Sequence, residues 1–300
     1  MRMEDMRTEV AAAALFVWDY IITLGMEVDL MWPSAWNTIK VLFMFQRYLP
    51  FIDTVILTLY RDLLPNQPGL YCRRLQLAQG FLYITGFATS EILLTFRVWA
   101  VWNRDRILSY VLPISFAVIW IPAYVVMYYF SESLEFLPLP PHKDATGCFV
   151  VHASNLVVWC WAALMAWNTL TLVLMVIQGI RSYRVGANST LMTIIYRDGT
   201  VYYLYLFALS VLNIVFAVTV TPTKRFVLTT MERCLHTILA SRVILHMRDH
   251  ARVREVQFTE DASGDQVDFN VSALRDDIDV VLNKAARSTP RMIYKMRNFD

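Results

Sequence analysis

The sequence predicts an all-α protein: a polytopic membrane bundle of seven transmembrane helices, with its N-terminus outside and its C-terminus in the cytosol. Three observations lead there. Three stretches contain no Asp, Glu, Lys or Arg: Ile107 to Ser131 (25 residues), Ala145 to Ile180 (36) and Gly199 to Thr223 (25). About 20 apolar residues at 1.5 Å rise suffice to cross the hydrocarbon layer, so each run is long enough. Charged residues are 17% of the chain and hydrophobic ones 57%, against roughly 25% charged in soluble domains. Apolar segments also fill the first 245 or so residues, so the core lies between helices rather than in an aqueous domain.

Breaks at Pro, Gly and charge clusters place the spans near Val10 to Leu30, Thr38 to Tyr60, Gln76 to Trp102, Ile107 to Phe130, Ala153 to Gln178, Gly199 to Thr219 and Phe226 to Met247. Residues 1–9 form the outer terminus, 10–250 the seven-span domain, and 251–300 a cytosolic, largely disordered tail. Span 1 follows Glu4, Asp5 and Glu9 rather than a basic region and lacks an A-x-A-like cleavage site, so it is expected to stay as its own insertion signal. Span 2 is interrupted by Gln46, Arg47, Pro50 and Asp53; a re-entrant segment is its alternative. Prolines 50, 113 and 122 are expected to kink their helices.

Seven crossings put the termini on opposite faces. With the N-terminus outside, Lys and Arg near span ends number eleven on the inner face and eight on the outer, in the sense of the positive-inside rule. Cys72 precedes span 3 and Cys148 lies in the longest loop, on the same face. If that face is extracytoplasmic the two can form a disulfide, since such bonds persist in oxidising compartments; two free thiols are the alternative. The net charge of +2 suggests no nucleic-acid partner.

Ionisable residues inside a span cost roughly 2.5 to 3.5 kcal/mol at mid-bilayer on insertion scales and therefore need a partner, a wet cavity or a function. Measured from the inner span ends, Asp19, Arg47 and Glu91 lie at about 16, 14 and 18 Å, which predicts Arg47 clamped between Asp19 and Glu91. Asp53 and Arg233, at about 23 and 21 Å, form a second expected pair, flanked by Glu232 and His236. Either cluster could be a polar ligand pocket or ion path, or a clamp that sets helix registry. Gly86 with Ser90 and Ala162 with Ala166 are small pairs that let helices approach. Trp159, Trp161 and Trp167 read as interface anchors and packing residues.

The segment VWDYIITLGMEVDLMW, followed by KVLFMFQRYLP, carries a D-Y…E-V…W stretch leading into K-V-L-F…R-Y-L. This pattern, over about 15–60, resembles the amino-terminal signature of a fungal family of seven-span membrane proteins defined by a domain of unknown function. Weaker fits are Glu91, Arg97, Trp102 and Arg104, the step Arg197-Asp198-Gly199, and Ser241-Arg242. The resemblance implies a receptor-like layout and no established ligand; Phe45 and Gln46 stand where the family usually has an aliphatic residue and Asn.

The leading functional expectation is a sensor like a G-protein-coupled receptor in the plasma membrane. Its partners would be the lipid bilayer, a ligand, and a cytosolic signalling protein met by Arg104 and Arg106. Span 6 has no proline and span 7 no N-P-x-x-Y motif, which argues against the rhodopsin-like class; no lysine lies at mid-depth in span 7 to hold retinal. A transporter or channel using the intramembrane charges is the alternative. No H-E-x-x-H, G-x-S-x-G or glycine-rich phosphate loop is present, so neither catalytic residues, a metal nor a cofactor is expected.

Overall fold

The computed structural model describes residues 2–57, 60, 69–136, 150–184, 190–219 and 227–264. Among them are seven helices: α1 (Arg2–Leu30), α2 (Thr38–Pro50), α3 (Gly69–Val101), α4 (Arg106–Glu132), α5 (Val157–Arg184), α6 (Thr190–Thr219) and α7 (Val227–Gly264). A short antiparallel pair, β1 (Glu135–Phe136) and β2 (Val150–His152), lies between α4 and α5.

Local chemistry sets the ends of these helices. Asn37 caps α2 by accepting from the Lys40 amide at 2.8 Å, and Asp105 caps α4 by accepting from Ile107 N at 2.7 Å. The turn between α3 and α4 is tight enough to hold Asn103 and Arg104 at positive φ, 50° and 57°. Pro50 carries no amide hydrogen. From Phe51 to Ile56 the chain continues α2 as a π-helical turn, which carries Asp53 into the bundle. Pro113 and Pro122 lie within a continuous α4.

Helix α3 is the central element, touching α2, α4, α5 and α7, while α7 packs on α1, α2, α3 and α6. One apolar cluster joins α3, α4 and α5 through Phe87, Trp120, Trp161 and Leu164. A second joins α3, α5, α6 and α7 through Leu94, Met175, Leu206 and Val243.

The distribution of polarity is inverted relative to a water-soluble bundle. Glu27, Arg47, Asp53, Glu91, Arg233 and His236 are buried, whereas Trp18, Ile114, Val118 and Trp159 stand outward, each more than 60% exposed. Apolar groups outside and charges inside is the arrangement a lipid solvent favours. Among the described residues, four helices are long and apolar enough to cross a membrane: Arg7–Leu30, Tyr71–Val101, Arg106–Glu132 and Val157–Arg181. Thr200–Phe216 of α6 is a shorter apolar helix. Helix α2, at 13 residues before the π-helical turn, is too short to cross alone, and α7 carries Glu232, Arg233 and Arg242 within its first 16 residues.

Two expectations are modified. Helix α7 runs to Gly264, so the stretch 251–264 of the expected disordered tail is helical; no Pro or Gly interrupts it before Gly264. Residues 265–300 lie outside the described residues. Ala166 is exposed and Ala162 half-buried, so that small pair does not seat a neighbouring helix.

Candidate functional site

Two buried polar clusters and one cleft concentrate the chemistry of the bundle. The first cluster is built on the α1–α2 hairpin. Arg47 Nε donates to Glu27 Oε2 at 2.7 Å and Arg47 Nη2 to Thr23 Oγ1 at 2.5 Å. Glu27 Oε1 accepts from Tyr48 OH at 2.8 Å and Trp32 Nε1 at 3.3 Å. The guanidinium lies 5.1 Å from the Tyr20 ring centroid. Lys40 Nζ closes the intervening loop by donating to the carbonyls of Trp32 and Ser34 at 2.9 and 2.7 Å. A buried guanidinium is thereby matched with one carboxylate and further polar partners, which its desolvation requires.

This corrects the expected clamp of Arg47 by Asp19 and Glu91. Asp19 instead accepts from Arg242 Nε of α7 at 2.7 Å, and Glu91 lies 3.5 Å from His236 Nδ1. Helical side chains lean toward their own N-terminus. Arg47 on α2 and Glu27 on the antiparallel α1 therefore lean toward each other, although their Cα levels differ. Glu27, near the end of α1, was the partner that a ruler based on Cα depth passed over.

The second cluster ties the π-helical turn to α7. Arg233 Nε donates to Asp53 Oδ2 at 3.1 Å, Thr54 Oγ1 donates to Asp53 Oδ1 at 2.8 Å, and Arg233 Nη1 donates to Thr237 Oγ1 at 2.5 Å. Gly86 leaves the space that the guanidinium fills. Gln46 Nε2 donates to Ser90 Oγ at 2.8 Å, so Gly86 and Ser90 serve polar side chains rather than backbone approach. Glu91, Glu232 and His236 complete this core; their side-chain polar atoms have no hydrogen-bond partner among the described residues, and Asn213 faces Glu232 without a well-formed bond.

Beside this cluster lies an open cleft between the helices. Helix α3 contributes Gln76, Gln79, Tyr83 and Phe87, α4 gives Trp120, Met127 and Phe130, and α5 adds Cys160 and Trp161. Glu9 of α1 and Thr229 and Thr230 of α7 complete it. Phe87 separates cleft from charges: its ring centroid is 5.8 Å from that of Trp161 on one side, and 5.1 Å from His236 and 5.8 Å from Arg233 Cζ on the other. Gln79 bridges them, donating to the Asp53 carbonyl at 3.2 Å and to Tyr83 OH at 3.3 Å. Of the three tryptophans read as anchors, Trp159 is exposed, Trp161 lines the cleft and Trp167 is fully buried against Phe116.

Of the remaining expected site residues, Cys72, Arg104 and Arg106 are not part of the cleft's lining. Cys72 is buried and disulfide-bonded; Cys148 lies outside the described residues. Arg104 and Arg106 are exposed at the α3–α4 turn, where Arg104 stacks 5.8 Å from the Trp99 ring. No group of three or more His, Cys, Asp or Glu suited to a metal occurs among the described residues.

Residues 8–52 match a family of unknown function, DUF6533. The DUF6533 stretch is the α1–α2 hairpin, and it contains every side chain of the first cluster: Tyr20, Thr23, Glu27, Trp32, Lys40, Arg47 and Tyr48. Asp53 and the cleft lie beyond it, apart from Glu9. No curated protein matches the chain.

Proposed function

We propose that this is a seven-pass, receptor-like ligand sensor with its N-terminus outside, resident in the plasma membrane, and without enzymatic activity. The observation that carries the reading is the contact between an open cleft and a buried ion pair through Phe87 and Gln79. A ligand that displaces either residue acts on the Asp53–Arg233 bond, which joins α2 to α7, and so reaches helices that extend through the bundle. In this orientation Glu9, Gln76, Phe130, Val157 and Thr229 belong to outer helix ends. A Cys72–Cys148 disulfide would hold the long loop over the mouth, and Arg104 and Arg106 would meet a cytosolic signalling partner.

A transporter or channel is the second reading, favoured by the buried Glu91, Glu232 and His236, whose side-chain polar atoms make no hydrogen bond among the described residues. Parallel assays separate the two. A sensor requires that Arg104→Ala with Arg106→Ala abolish a cellular response to small apolar molecules while vesicles holding the purified chain show no solute flux. Flux that depends on Asp53 and Arg233, with the response unaffected by the arginine changes, would replace the sensor with the transporter.

A further inference from the structure

The lining of the cleft specifies the chemistry of what it holds. Its lining divides by element. Helices α4 and α5 present Trp120, Met127, Phe130, Trp161 and Leu164, an apolar and largely aromatic surface. The polar lining comes from α3, which presents Gln76 and Gln79 before the apolar Ile84 and Phe87, and from the first turn of α7, which presents Thr229 and Thr230. The polar members are neutral amide and hydroxyl groups that both donate and accept hydrogen bonds.

Charge narrows the choice. Among the described residues no Lys, Arg or His lines the cleft, so an anion would be desolvated against that lining with no cation to meet it. The single ionisable carboxylate, Glu9, comes from α1 and already has an interaction of its own. Arg233 lies behind Phe87 and is engaged by Asp53.

We infer that the cleft binds a neutral amphiphile: an apolar, ring-bearing body seated against Trp120 and Trp161, with a hydroxyl or carbonyl oxygen hydrogen-bonded at the Gln76–Thr229 edge. The inference rests on the sensor reading for its biological purpose but not for its test, which reads occupancy directly.

Cys160 supplies the readout, because it lines the cleft while Cys72 is bonded and Cys234 is fully buried. The full chain in phosphatidylcholine nanodiscs is alkylated with N-ethylmaleimide, with Cys160→Ser as the unreactive control. Protection is measured at equal bilayer concentrations of five compounds sharing one body: butylbenzene, phenylbutanol, phenylbutanone, phenylbutylamine and phenylbutyrate. One added neutral hydrogen bond corresponds to about fivefold in affinity. The alcohol and the ketone should therefore protect at concentrations about fivefold below butylbenzene, and the amine and carboxylate should protect less well than the alcohol. Gln76→Leu with Thr229→Val should erase the advantage of the oxygen-bearing compounds and leave butylbenzene unchanged.

Equal protection by hydrocarbon and alcohol would overturn the inference, as would an advantage that survives the double substitution. A cleft that prefers the amine is a cation site at Glu9. A Cys160 that is alkylated at the same rate whichever compound is present would overturn the inference. Protection without any cellular response would sink the sensor reading and leave this one standing.

Discussion

Gly86 and Arg233 are in direct contact: a methyl group added at Gly86 would run into the Arg233 guanidinium at Nη2 and Cζ. An arginine tip in solvent would simply move aside. This one is fully buried, held by Asp53 at Nε and Thr237 at Nη1. The glycine is therefore the counter-shape of the guanidinium, and its place on α3 is dictated by a residue on α7.

Gly86→Ala should destabilise the protein by about 1 to 3 kcal/mol, the usual cost of overpacking a filled core. Thermal unfolding of the detergent-purified chain would measure it. The same change in an Asp53→Asn, Arg233→Ala background should cost much less, because the group it strikes is gone. Equal losses in both backgrounds would show that Gly86 matters for some other reason.

Removing Arg47 leaves Glu27 as a buried carboxylate held only by Tyr48 and Trp32. Arg47→Leu should lower stability by about 3 to 5 kcal/mol, as for other buried pairs that lose one member. Adding Glu27→Leu should recover a large part of that loss, since no uncompensated charge remains. Fluorescence-detected size exclusion after heating reports both. A double variant no better than Arg47→Leu alone would argue that the hairpin needs the ion pair's directionality and not only its charge balance.

Asp19 gives the contrasting case. It makes one charge-assisted bond, to Arg242 Nε, whereas Glu27 accepts from Arg47, Tyr48 and Trp32 together, so fewer strong hydrogen bonds are lost with Asp19. Asp19→Asn should shift the unfolding midpoint far less than Glu27→Gln in the same assay. A larger effect from Asp19 would assign it a role that the pairing with Arg242 does not supply.

How much of this was legible beforehand follows from what a sequence encodes in one dimension. The helices at Arg106–Glu132 and Val157–Arg184 follow directly from uncharged runs, because length and composition are local properties. Depth along the bundle axis is nearly local too, and it brought Asp53 to the level of Arg233. Azimuth is not local, so Arg47 was matched to Asp19 and Glu91 at its own depth, while the lean of the antiparallel side chains joins it to Glu27. The cleft was invisible for the same reason: its lining comes from five helices, and no short window of sequence contains it. The π-helical turn after Pro50 had one signal, the missing amide of proline, which was read as a kink.

The inverted polarity of the bundle yields a sharper test than hydropathy alone. Val118 lies mid-way along α4 and is 67% exposed, with Ile114 and Ile121 outward on either side. On a water-facing helix, Val118→Asp would be close to neutral, since exposed substitutions away from special features shift stability by no more than about 0.5 kcal/mol. Against hydrocarbon, the same aspartate costs roughly 2.5 to 3.5 kcal/mol at the centre of a span. Val118→Asp should therefore cut membrane insertion of the full chain severalfold, as read by resistance to alkaline extraction, whereas Val118→Phe should insert normally. An aspartate tolerated at this position would place α4 against water or a protein partner, and the assignment of the outer surface to lipid would have to be withdrawn.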